Sequence, residues 1–155
     1  YKATKTRNNL LFSDVNKYDA ETFFNSVNSR EDQERVAILE PGEFALVLSR
    51  ENIRIPPEIA GEISGYSADL GDVKRSYANW INPGHGGADQ NGKYEDSRIV
   101  LEVRAIDVPI ALRDGQKIAH FQLHRMLERP EKPYMSMRST NFSDLKSILP
   151  TQFKK

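Results

Sequence analysis

Val36-Ala-Ile-Leu-Glu-Pro-Gly-Glu-Phe-Ala-Leu-Val-Leu48 sets the pattern of this chain. Two short apolar runs flank a Pro41-Gly42 pair. Proline pre-sets the backbone for a turn and glycine accepts the positive φ that many turns need. The runs themselves are too short for helices and rich in residues that suit a pleated, half-buried surface.

Outward from this stretch the same texture repeats. Ile53-Arg-Ile55 alternates as a short strand and stops at Pro56-Pro57, which end it. Ile59 to Ile63 leads to Gly65, and a run ending near Ile81 is closed by Asn82-Pro83-Gly84. Ile99 to Val103, Val108 to Leu112, the Asp114-Gly115 turn and Ile118 to Met126 complete the series. Short strands punctuated by Pro and Gly, with no helical period between them, predict an all-β antiparallel sandwich or barrel. Gly86 to Ser97 reads as a long loop. Upstream, residues 1–34 form a polar segment with one amphipathic candidate helix, capped by Asp19 and presenting Phe23, Phe24 and Val27. The β domain spans 35–134, and 135–155 form a C-terminal tail with a candidate helical turn around Leu145 to Leu149.

At 155 residues the chain suits one domain with a real core. Lys+Arg and Asp+Glu are both 22, so there is no basic excess to recommend nucleic acid or a membrane surface as partner. There are no cysteines, which removes disulfides and thiolate metal sites and fits a cytoplasmic protein. No run reaches the length of a membrane span, and Tyr1-Lys-Ala-Thr-Lys5 lacks the apolar stretch of a signal peptide. The first residue is Tyr rather than Met, as expected of a piece of something longer.

One carboxylate interrupts an apolar strand: Glu102 in Arg98-Ile-Val-Leu-Glu-Val103. A charge in a strand core costs several kcal/mol unless it is paired or has chemistry to perform. Glu102 is therefore either a proton-handling group or a solvent-face residue paired with Arg104 or Arg98. His120 and His124 share one face of their strand, but no acidic third ligand lies nearby in sequence, so they read as surface histidines. Gly84-His-Gly-Gly87 lacks the strand–Gly–helix context of a dinucleotide fingerprint.

The ordered set of motifs resembles the dCTP deaminase branch of the trimeric dUTPase superfamily. It runs from Ile38-Leu-Glu-Pro-Gly-Glu-Phe-Ala-Leu46 through Glu51-Asn-Ile-Arg-Ile-Pro-Pro-Glu-Ile-Ala60, Gly65-Tyr-Ser67 and Ala78-Asn-Trp-Ile-Asn-Pro-Gly84. Ile99-Val-Leu-Glu-Val103, Ile110-Ala-Leu-Arg-Asp-Gly-Gln-Lys-Ile-Ala119 and Arg129-Pro-Glu-Lys-Pro-Tyr134 complete it, covering about Arg35 to Tyr134. The resemblance implies a dUTPase-like distorted β-barrel or jelly roll assembled as a homotrimer, with sites built at subunit boundaries. It implies conversion of dCTP and water to dUTP and ammonia, in some members followed by hydrolysis to dUMP. It implies further that Mg²⁺ rides on the triphosphate and that no zinc is used. The chain, with no Cys and three His, also lacks the ligand signature of zinc deaminases.

By the same resemblance Glu102 is the catalytic proton shuttle and Ser67 the hydroxyl that positions water or phosphate. Alone, Ser67 is as well read as a turn residue. The backbone of Tyr77, Ala78 and Trp80 reads the base edge, Asn82 holds the sugar 3′-hydroxyl and Tyr134 closes over the triphosphate. Trp80 is otherwise a core or interface anchor. The family's phosphate segment, Gly-Arg/Lys-Ser-Ser followed by Arg, is here Gly65-Tyr66-Ser67-Ala68 with Gly71 in the Arg position. Lys74 and Arg75 are the candidate replacement clamp, or a solvated basic pair. Tyr66, Gly71-Asp72, Lys74-Arg75 and the ending at Arg129-Pro-Glu-Lys132 look more like the second half of a longer, two-copy form. Two alternatives to a dCTP deaminase thus stand: a non-catalytic structural half, and a bifunctional deaminase/dUTPase. The tail Ser136 to Lys155 has none of the glycines that a dUTPase arm would bring.

Overall fold

A computed structural model describes residues 1–27, 36–65, 73–75, 80–88, 97–134 and 148–154. Within them the chain is all-β, with a 3₁₀ turn at Ala20–Thr22. The strands are β1 (Lys2–Ala3), β2 (Phe24–Asn25), β3 (Val36–Leu39), β4 (Phe44–Asn52) and β5 (Ile59–Gly65). They continue with β6 (Val73–Arg75), β7 (Trp80–Ile81), β8 (Arg98–Ala105), β9 (Ile110–Arg113) and β10 (Ala119–Arg125). Three sheets form, in the orders β2-β1-β4-β8-β6, β10-β5-β7 and β3-β9. Every pairing between these strands is antiparallel.

The turn chemistry of the sequence explains the connections. Gly42, at φ 81°, closes the β3–β4 turn, and Gly115, at φ 76°, follows β9. Period-two alternation then sorts side chains between faces. On β8, Ile99, Val103 and Ala105 are buried while Arg104 is exposed. On β9, Ile110 and Leu112 are buried while Ala111 and Arg113 are exposed. Leu39, Ala45, Val103, Ala105, Ile110 and Leu112 make one core cluster, with Val47, Leu101 and Ile118 packed against it. It joins the β4–β8 pair to the β3–β9 pair, so β8 is held firmly behind the face that carries Glu102.

Two local expectations fail. Instead of a helix after Asp19 there is only the 3₁₀ turn, and Asp19 makes no side-chain cap. Phe24 pairs with Ala3 in the β1–β2 ladder. Phe23 and Phe24 both pack edge-on against Phe153, at centroid distances of 5.7 and 5.5 Å. A helix this short is marginal in water, so strand pairing and an aromatic cluster override its pattern. Phe153, far along the C-terminal segment, is thereby a buried residue at 4% exposure. The second failure is Ile53-Arg54-Ile55, which is no strand. Its amides bond to loop carbonyls, Ile53 N to Ser97 O and Ile55 N to His85 O, rather than to a ladder. Most of the candidate turn near Leu145 lies outside the described residues. Among the described residues no helix is long and apolar enough to cross a membrane.

Candidate active site

Glu102 occupies the middle of β8, directly opposite buried Leu46 on β4. It is half-buried, neither sealed in the core nor freely solvated. Arg104, one of the two cations the sequence offers it, is exposed and lies over the ring of its cross-strand partner Phe44, 5.7 Å from the centroid. On the other side of β8 runs β6, with Lys74 opposite Arg104 and Arg75 opposite Val103. The backbone of the candidate clamp is thus laid alongside the strand of the candidate proton shuttle. Ser67, Tyr77 and Ala78 lie outside the described residues.

Trp80, Asn82 and Tyr134 form a second group, at the end of the β10-β5-β7 sheet. Trp80 pairs with Glu62 on β5 and is 50% exposed, so it anchors no core within this chain. Its ring stacks on His124, 5.8 Å between centroids at 23°. His124 Nε2 in turn meets Glu62 Oε2 at 2.9 Å. The acidic partner missing from the sequence neighbourhood of His124 comes instead from the adjacent strand, diagonally across the β5–β10 ladder. Only the register reveals it. An exposed pair of this kind adds little stability, about 0–1 kcal/mol. Among the described residues no group of three or more His, Cys, Asp or Glu is placed to hold a metal.

Asn82 opens a tight turn. Its carbonyl accepts from His85 N at 3.1 Å, and Pro83 O accepts from Tyr134 N at 3.0 Å. Gly84 has φ 86°, and a Cβ there would stand 2.7 Å from Pro133 Cβ. A side chain at this position would push Tyr134 off the turn. Asn82 and Tyr134, 52 residues apart in sequence, are therefore neighbours in the fold, as a shared site needs. His85, given no role by its motif, stacks on the Tyr134 ring and bonds to Ser97 O.

These two groups sit on different sheets, Glu102 on one and Trp80 on the other. Glu102 and Trp80 line neither of two clefts formed by the described residues. One, of about 350 Å³, opens between Val47, Leu101, Ile63, Leu112 and Phe121, with Arg50 and Arg113 at its rim. A second of similar size lies between the N-terminal segment and β3–β4.

A family model described as 2′-deoxycytidine 5′-triphosphate deaminase, C-terminal domain, matches residues 1–153. The dCTP deaminase of Rhodospirillum rubrum is 31% identical over 117 residues, which covers 74% of this chain and 55% of that protein. The dUMP-forming dCTP deaminase of Methanosphaera stadtmanae is 32% identical over 119 residues, 75% of this chain and 54% of that protein. Among solved structures, 2′-deoxycytidine 5′-triphosphate deaminase from Agrobacterium tumefaciens superposes with a TM-score of 0.61 at 33% identity. That match covers 74% of this chain and 32% of the other. The chain spans about half the length of the curated relatives it matches. With all but its last two residues matched and the strands arranged as the resemblance implies, it belongs to the dCTP deaminase C-terminal domain family.

Proposed function

We propose that this chain catalyses hydrolytic deamination of dCTP to dUTP and ammonia, as a cytoplasmic homotrimer, with Glu102 moving the protons. The observation that carries this is the placement of Glu102: half-buried at the centre of β8, opposite Leu46, with β6 paired on the other side. A carboxylate so placed is held by the sheet and open enough to exchange protons with a ligand. It takes a proton from water as the oxygen attacks C4 of cytosine and delivers that proton to N3. It then passes the hydroxyl proton to the amino group, which leaves as ammonia. Asn82 takes the sugar hydroxyl and Tyr134 the triphosphate, with Ser67 ordering water and Lys74 and Arg75 pairing with phosphate. The backbone of Tyr77 and Ala78 reads the base, against which Trp80 stacks. Mg²⁺ enters with the nucleotide and offsets phosphate charge, and no step is assigned to protein-bound metal.

Short strands and an aromatic left half exposed at Trp80 favour assembly, since a trimer buries what one subunit leaves open. Two observations favour variants of this function. Relatives named as dUMP-forming favour a bifunctional enzyme. Gly71 in the position of the family's phosphate-binding Arg favours a structural half.

The test is to incubate the purified chain with dCTP and Mg²⁺ and to resolve dUTP, dUMP and ammonia. Ammonia with dUTP supports the deaminase, and ammonia with dUMP the bifunctional enzyme. Absence of turnover in a folded trimer supports the structural half. In an active chain, Glu102→Gln should lower turnover by at least roughly 10²-fold while dCTP still binds, because Gln keeps the shape but returns no proton. Full turnover in that variant would refute the shuttle.

A further inference from the structure

His85 joins three segments that are far apart in sequence. Its ring stacks on Tyr134, 6.0 Å between centroids at 27°. Its Nε2 lies 3.1 Å from Ser97 O, and since a carbonyl only accepts, Nε2 carries the proton. Its own carbonyl takes the Ile55 amide at 2.8 Å. Ser97 is no loose acceptor. It is 2% exposed, its amide donates to Asn52 Oδ1 at 3.2 Å, and its carbonyl also accepts from Ile53 N. It immediately precedes β8, the strand of Glu102. Gly86, next to His85, leaves no room for a side chain between Ile53 O and Ser97 Cβ, so the turn is pressed against that anchor.

We infer that His85 is a positioning residue: it fastens Tyr134 over the Asn82–His85 turn and ties both to the start of β8. The imidazole is bonded to a fixed, buried carbonyl on one edge and presents its face to the Tyr134 ring. Tyr134 is held besides by its amide bond to Pro83 O. Losing the ring removes the stacking partner from Tyr134 and the side-chain bond from Ser97 O, so Tyr134 opens more often. The catalytic consequence rests on the proposed role of Tyr134 over the triphosphate, whereas the mechanical one does not.

The experiment compares the full chain with His85→Ala, His85→Phe and His85→Gln by amide hydrogen exchange and by steady-state kinetics with dCTP. His85→Ala should speed exchange of the Tyr134 amide by roughly tenfold and leave the β4–β8 ladder amides unchanged, as expected of a local opening. KM for dCTP should rise several-fold with kcat nearly unchanged. His85→Phe, which keeps the stack but loses the bond to Ser97 O, should restore part of both effects, and His85→Gln, which keeps only a donor, should restore less. Unchanged Tyr134 exchange in His85→Ala, or rescue by Gln but not by Phe, overturns the inference. Should His85→Ala fail to fold, His85→Gln in the wild-type chain and in Tyr134→Ala decides it. The added change at His85 should then alter KM no further, and an undiminished effect refutes the coupling. A chain without turnover sinks the proposed activity alone, because the exchange data still report on the latch.

Discussion

Gly42 and Gly86 are both held at positive φ, 81° and 68°, but in different surroundings. A Cβ at Gly42 would meet nothing within 4 Å. One at Gly86 would stand 2.4 Å from Ile53 O and 2.6 Å from Ser97 Cβ. Gly42→Ala should therefore cost only the conformational term, about 1 kcal/mol, once the gain from a stiffer unfolded chain is set against it. Gly86→Ala carries the same term plus overpacking against backbone, about 1–3 kcal/mol more. The obstructing atoms are a carbonyl and a Cβ, so no rotamer change relieves them, and the chain must part by more than half an ångström. With total stability of about 5–15 kcal/mol, that difference is large. Urea titration followed by tryptophan fluorescence should place the Gly86→Ala midpoint lower than that of Gly42→Ala by on the order of 1 M, with similar slopes. Equal midpoints would mean that the Ile53–Ser97 packing yields freely, and would remove the rigid anchor from beneath His85.

Phe153→Ala should cost about 3–5 kcal/mol despite its place near the end of the sequence, since it removes a 4%-exposed ring from the cluster with Phe23 and Phe24. A change below about 1 kcal/mol in urea unfolding would show that the cluster carries no weight. Acid should weaken the fold through two carboxylates. The hydroxyl of Tyr18, then Lys17, hold Asp14 below its ordinary 3.8. Lys2, then the Glu40 amide, hold Glu43 below 4.5. Depressed folded values mean stability that is complete above those ordinary values and is lost as pH falls through the folded ones. Urea midpoints should thus stay level from neutral pH to about 5 and fall below about 4, with a shallower fall in Glu43→Gln. An identical acid slope in that variant would sink the assignment.

The strands were legible because their signals are local. Pro41-Gly42, Asn82-Pro83-Gly84 and Asp114-Gly115 fix turns through backbone chemistry that needs no distant partner. The alternation of β8 and β9 states which side faces the core. The mid-strand position of Glu102 was legible for the same reason, as one carboxylate within an apolar run.

Other features depend on partners that lie far along the chain. Ile53-Arg54-Ile55 carries a strand pattern, but its amides are taken by Ser97 and His85, so no ladder forms. The helix pattern after Asp19 yields to Ala3 on one side and Phe153 on the other. Glu62 reaches His124, and His85 reaches both Ser97 and Tyr134, only after the sheets have set their registers. Turns and alternation are properties of a few adjacent residues and so are written in the sequence. Which polar group meets which is decided by closure of long loops around a shared core, and that belongs to the tertiary structure alone.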